Sequence, residues 1–113
     1  RNDGLDPLFR AASVNALVPY YGTGIDPLDP RLSPLFGDLA GLPSALLMVG
    51  SSELLLDDSV RFATRLPDSE LRIWHDMPHV FPAMRGLAAG DQAIREIGEF
   101  VRERTAAATA GAA

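Results

Sequence analysis

The chain has 113 residues, one domain at most, and 47% of them are hydrophobic against 22% charged, a balance that excludes a disordered chain. A net charge of −5, with every basic residue an arginine and none of them clustered, argues against a phosphate-binding surface, so nucleic acid is not an expected partner. The absence of cysteine removes disulfides, thiolate nucleophiles and zinc–thiolate sites, and no apolar run reaches the roughly 18–20 residues of a membrane span.

The first ten residues are polar, contain Pro7 and read as a loop. Val14, Leu17, Val18 and Tyr21 then recur at helical spacing behind Ser13, a candidate N-cap. Pro19 should kink or shorten that helix, and Gly22 and Gly24 should end it. Asp26-Pro27, Asp29-Pro30 and Ser33-Pro34 follow closely; each residue before a proline is pushed out of α geometry, which predicts a stiff, extended surface connection.

Ala45-Leu46-Leu47-Met48-Val49 is a continuous apolar run that stops at Gly50-Ser51-Ser52. It is too short for a buried helix and lacks alternation, so it predicts a strand covered on both faces, as in a parallel sheet. A helix is expected next, with Leu56, Val60, Ala63 and Leu66 (or Phe62) facing inward and Asp57 and Asp58 in its first turn, until Pro67-Asp68-Ser69 breaks it. Leu71-Arg72-Ile73-Trp74 alternates as a second strand, and a loop through Met77-Pro78-His79 follows. Asp91 then caps a helix striped by Ile94, Ile97 and Val101, with Phe100 at its margin. Residues 106–113 are Ala/Gly-rich and read as a disordered tail.

Strand–helix–strand–helix with short connections is an α/β pattern, and the crossover implies a parallel pair. Two strands do not make a stable open sheet. Residues 1–105 are therefore expected to be the C-terminal flank of a larger parallel sheet, incomplete as a domain. The chain opens on Arg1 with no signal peptide; its natural start is expected upstream, and a cytoplasmic location is favoured.

Ligands of open α/β sheets gather at the carboxyl ends of the strands. Glu53, Asp57 and Asp58 follow the first strand, and His75, Asp76 and His79 follow the second. A carboxylate and a histidine leaving one edge on neighbouring strands suit a base-assisted nucleophile, the carboxylate fixing the imidazole tautomer. Other readings remain open: Glu53 as a helix cap, Asp57 and Asp58 as first-turn carboxylates, either histidine as a solvated loop residue, and Met77 and Phe81 as core. His75 and His79 are four apart, but Pro78 between them opposes a helical metal pair.

The strings Leu32-Ser33-Pro34-Leu35-Phe36-Gly37-Asp38-Leu39, Gly41-Leu42-Pro43, Val49-Gly50-Ser51-Ser52-Glu53-Leu54-Leu55-Leu56-Asp57-Asp58 and Trp74-His75-Asp76-Met77-Pro78-His79-Val80-Phe81 resemble, in order and spacing, the hormone-sensitive-lipase-like family of α/β-hydrolases. The resemblance covers roughly residues 33–104. It implies a carboxylic ester hydrolase working through a serine ester, with a small-molecule ester substrate and no cofactor or metal. His79 matches the family's triad base and Glu53 its triad acid. Asp57 matches a supporting carboxylate and is the secondary acid candidate; Val80 and Phe81 would border the substrate. The family's oxyanion-hole glycines and its G-x-S-x-G nucleophile elbow do not occur in these residues. The N-terminal remainder of the same hydrolase domain is thus an expected partner, and this chain alone is expected to be inactive. The rival expectations are a noncatalytic ligand-binding relative and an unrelated small α/β domain.

Overall fold

A computed structural model of the chain describes residues 2–111, which fall into two compact units divided between His79 and Val80. The first unit holds helix α1 (Ala11–Gly22), a 3₁₀ turn (Pro34–Phe36), strand β1 (Ala45–Gly50), helix α2 (Leu56–Arg65) and strand β2 (Ser69–Trp74). The second holds a 3₁₀ turn (Phe81–Ala83) and helix α3 (Ala88–Gly111).

β1 and β2 pair in parallel, in register from Ala45 opposite Ser69 to Gly50 opposite Trp74, with α2 as the crossover packed on both strands. Leu39, Val49, Leu56 and Leu66 form the buried apolar core of this unit. The apolar run predicts a strand covered on both faces, but only the carboxyl end of β1, Val49 and Gly50, is fully buried. α2 is the helix packed on this two-stranded sheet, so Ala45–Met48 are half-buried and Ile73 of β2 is exposed.

The helix boundaries differ from the sequence expectations for local reasons. α1 starts at Ala11, not behind Ser13, because the Asp3 carboxylate accepts the Ala11 N–H at 3.0 Å and supplies the cap from a distance. Pro19 lies inside α1 without ending it. Of the residues at helical spacing, Val14 is half-buried and Leu17 and Tyr21 are exposed; the Val18 side chain lies outside the described residues.

In the second unit α3 begins at Ala88, three residues before the expected cap; Asp91 sits in its first turn and donates its N–H to the Leu87 carbonyl. The buried edge is also rotated. Ala93 is fully buried and Ile97 and Phe100 are half-buried, whereas Ile94 and Val101 are 55% and 51% exposed. Gly90 sets this rotation: its backbone packs against the Phe81 and Met84 carbonyls, which a Cβ there would meet at 2.8 and 3.0 Å. The expected tail from Ala106 is helical through Gly111, as alanine's high helix propensity favours, while Ala112 and Ala113 lie outside the described residues.

Candidate functional site

Parallel pairing brings the carboxyl ends of β1 and β2 together, and the loops leaving those ends are stitched by backbone bonds. Ser51 N–H donates to the Trp74 carbonyl at 2.8 Å and Ser52 N–H to the Met77 carbonyl at 3.3 Å. The Ser51 hydroxyl accepts the Asp76 N–H at 2.8 Å. Gly50 is required where the loops cross, since a Cβ there would lie 1.8 Å from the Met77 carbonyl oxygen.

This stitching delivers Glu53 to His79. Glu53 Oε1 lies 2.6 Å from His79 Nδ1, the separation of a short, charge-assisted hydrogen bond. Glu53 Oε2 accepts the Gly50 N–H at 3.1 Å, which fixes the carboxylate plane. Glu53 is 6% exposed, and the His79 side chain retains 26% of its surface. With Nδ1 engaged by the carboxylate, the other ring nitrogen, Nε2, carries the lone pair of the neutral imidazole. The reading of Glu53 as a helix cap does not describe this side chain: α2 has no side-chain cap, and both Glu53 oxygens are engaged elsewhere.

The other sequence candidates are distributed differently. Asp57 and Asp58 stand exposed in the first turn of α2, with Asp58 paired to Arg61 at 3.1 Å. His75 and Asp76 form an exposed pair at 3.0 Å. Val80 is half exposed and has φ 54°, a left-handed conformation that is costly for a β-branched residue and often found beside functional groups. Phe81 is 1% exposed, so its ring offers no open surface in this chain. Among the described residues no group of three or more His, Asp or Glu side chains is placed to hold a metal ion.

Three residues of the N-terminal segment, read from sequence only as loop, also belong to this site. Asn2 donates from Nδ2 to the Ser51 and Glu53 carbonyls at 2.8 and 3.0 Å. Asp6, fully buried, accepts Leu8 and Phe9 N–H groups on Oδ1 and the Leu54 N–H on Oδ2. Burial by itself would raise the Asp6 pKa; the three N–H donors and the nearby positive charge of protonated His79 together hold it below the ordinary 3.8. The Phe9 ring meets the His79 imidazole edge-on, centroids 4.7 Å apart and planes at 86°. Asp6, Phe9 and His79 line one cavity of about 210 Å³ with Val14, Leu17, Leu54 and Leu55. The sequence signal for Asp6 is Asp6-Pro7, an Asx-turn pattern; Asn2 has no local signal.

A family model described as the alpha/beta hydrolase fold matches residues 1–83. The chain belongs to that family. An esterase from Acinetobacter venetianus is 37% identical over 108 residues, covering 88% of this chain and 35% of that protein. An acetyl-hydrolase from Streptomyces hygroscopicus is 36% identical over 107 residues, covering 87% and 34%. A crystal structure of an esterase from the bacterial hormone-sensitive lipase family superposes with a TM-score of 0.88 at 41% identity, over 91% of this chain and 36% of that one. The resemblance to hormone-sensitive-lipase-like hydrolases read from the sequence is thus established, and the chain spans about a third of the length of the relatives it matches.

Proposed function

We propose that the protein is a carboxylic ester hydrolase in which His79 is the general base and acid and Glu53 the carboxylate that orients it. The observation carrying this reading is the 2.6 Å contact between His79 Nδ1 and the buried Glu53 carboxylate, at the strand ends where open α/β sheets bind ligands. The names of the relatives, esterase and acetyl-hydrolase, support the reaction class.

In this mechanism His79 Nε2 takes the proton of a serine hydroxyl as its oxygen attacks the ester carbonyl. The imidazolium then returns the proton to the leaving alkoxide as the C–O bond breaks. Water repeats the sequence on the acyl-enzyme, releasing the acid and restoring the serine. Glu53 acts throughout by holding Nδ1–H and offsetting the imidazolium charge. Asp57, on the exposed turn of α2, is assigned a supporting and not a catalytic role. Val80, which directly follows the base, contacts the substrate, whereas the Phe81 ring is buried in this chain.

No G-x-S-x-G string occurs in the 113 residues, and the relatives are about three times as long. The nucleophile and the oxyanion donors are accordingly assigned to the remainder of the hydrolase domain, and the 113 residues alone should not turn over ester. In the full-length protein, His79→Ala should lower kcat/KM for p-nitrophenyl butyrate by about 10²–10⁴, the usual range for a general base, and Glu53→Gln by up to about 10⁴. Wild-type turnover in His79→Ala would refute the assignment.

A further inference from the structure

The proposed mechanism uses Glu53 and His79 but leaves unexplained two buried polar side chains from the opposite end of the first unit. Asn2 is 5% exposed and Asp6 fully buried, and among the described residues neither pairs with another polar side chain. All their bonds run to backbone groups, so their function is to fix the path of the chain. Four of the backbone groups they bind belong to two places. Ser51 O, Glu53 O and Leu54 N lie in the acid loop; Phe9 N carries the ring that abuts His79.

We infer that the segment from Asn2 to Phe9 is a positioning strap for the Glu53–His79 pair, with Asn2 and Asp6 clamping the loop that bears the acid and Phe9 bracing the imidazole plane. This rests on the catalytic reading of the pair and extends it to residues outside the pair. The clamp acts on both sides of Glu53. Asn2 holds the carbonyls of Ser51 and Glu53, and Asp6 holds the N–H of Leu54, so the Glu53 peptide is bound from before and after its side chain. On the other member, Glu53 fixes Nδ1 of His79 in position, and one bond leaves the ring free to turn about it. The edge-on Phe9 ring removes that rotation, and Asp6 in turn fixes Phe9 through its N–H. A pair that drifts by about 1 Å can lose on the order of 10² in rate, so a strap of this kind acts on kcat.

Asp6 and Glu53 are the carboxylates that face His79, from the N-terminal segment and the acid loop respectively; Asp6 and His79 are the titratable groups lining the cavity they share. The Nδ1 proton shared between Glu53 and His79 gives the strap a readout that packing alone would not move.

The test uses the full-length protein with Asp6→Asn, Asn2→Ala and the milder Phe9→Leu, which keeps the backbone bond to Asp6. Turnover of p-nitrophenyl butyrate is measured beside the NMR signals of the His79 ring and its low-field Nδ1 proton. Each variant should lower kcat by about tenfold with KM near the wild-type value. The Nδ1 proton signal should exchange faster in each. Unchanged kcat and an unchanged Nδ1 signal in folded Phe9→Leu and Asn2→Ala would overturn the inference. So would a loss of rate that only tracks the folded fraction. The NMR signals report the pair whether or not it is catalytic. If the variants perturb them while His79→Ala keeps full turnover, the strap stands and the hydrolase assignment falls.

Discussion

Gly50→Ala tests the geometry without touching a charged or polar side chain. The new methyl would sit 1.8 Å from the Met77 carbonyl oxygen and 2.4 Å from its carbon, whereas Cβ contacts in real proteins do not fall below 3.0 Å. The Met77–Pro78 backbone must therefore recede from 1.8 Å to at least 3.0 Å, a shift of about 1.2 Å that no side-chain rotation can supply, because the obstacle is main chain. His79 follows Pro78 directly, so the shift is delivered to the imidazole. Starting from a 2.6 Å contact, a displacement of that size stretches the Glu53–His79 bond beyond hydrogen-bonding range. The expected consequences are a destabilisation of about 1–3 kcal/mol from overpacking and a fall in kcat/KM of about 10² from misplacement of the base. Steady-state hydrolysis of p-nitrophenyl butyrate and thermal unfolding of the full-length protein measure both. Gly41→Ala is the control: φ is +76° there and nothing lies within 4 Å of a Cβ, so it should cost about 1–2 kcal/mol of backbone strain and no turnover in the folded protein. Wild-type kcat/KM and an unshifted Tm in Gly50→Ala would refute the claim that close approach of the two loops sets the pair.

Two further outcomes follow from other contacts. Gly90→Ala should lower the stability of the second unit by about 1–3 kcal/mol, because its methyl would press on the Phe81 and Met84 carbonyls; hydrogen exchange in α3 reads this, and unchanged protection there would refute it. The Asp6 carboxyl has a folded-state pKa below 3.8, so its charge stabilises the fold above that pH and the contribution is lost as pH falls through the depressed value. The Tm difference between wild type and Asp6→Asn should accordingly be largest near neutrality and shrink below pH 3.8; a difference constant across that window would contradict the sign.

The elements around the site were legible because each is announced locally. The apolar run before Gly50 fixes the end of β1, and the Leu71–Trp74 alternation falls within β2, so the loops bearing Glu53 and His79 follow from the strands alone. What local pattern does not carry is distance. Asn2 reaches Ser51 and Glu53 across 49 and 51 residues, and its type and neighbours are those of an ordinary polar loop. The rotated face of α3 was hidden for a similar reason. Periodicity favours large residues such as Ile94 and Val101, whereas the buried edge is chosen by the smallest, Gly90 and Ala93, which admit backbone at close range.

The sequence separations within the first unit also bear on the order in which it forms. Glu53 and His79 close a loop of 26 residues with a helix already inside it, and Asn2 closes one about twice as long onto the same turn. Doubling a loop adds only about 0.6 kcal/mol of closure entropy, so the longer contact is scarcely more costly to make than the shorter. During synthesis, however, Asn2 emerges long before its partners, and its bonds cannot form until Ser51, Glu53 and Leu54 have left the ribosome. Until then the carbonyls and N–H of the acid turn are solvated, and the turn is free to sample other shapes. The strap residues thus act only after the acid turn that follows them has been made, and that turn is complete only when Trp74, Met77 and His79 have joined it.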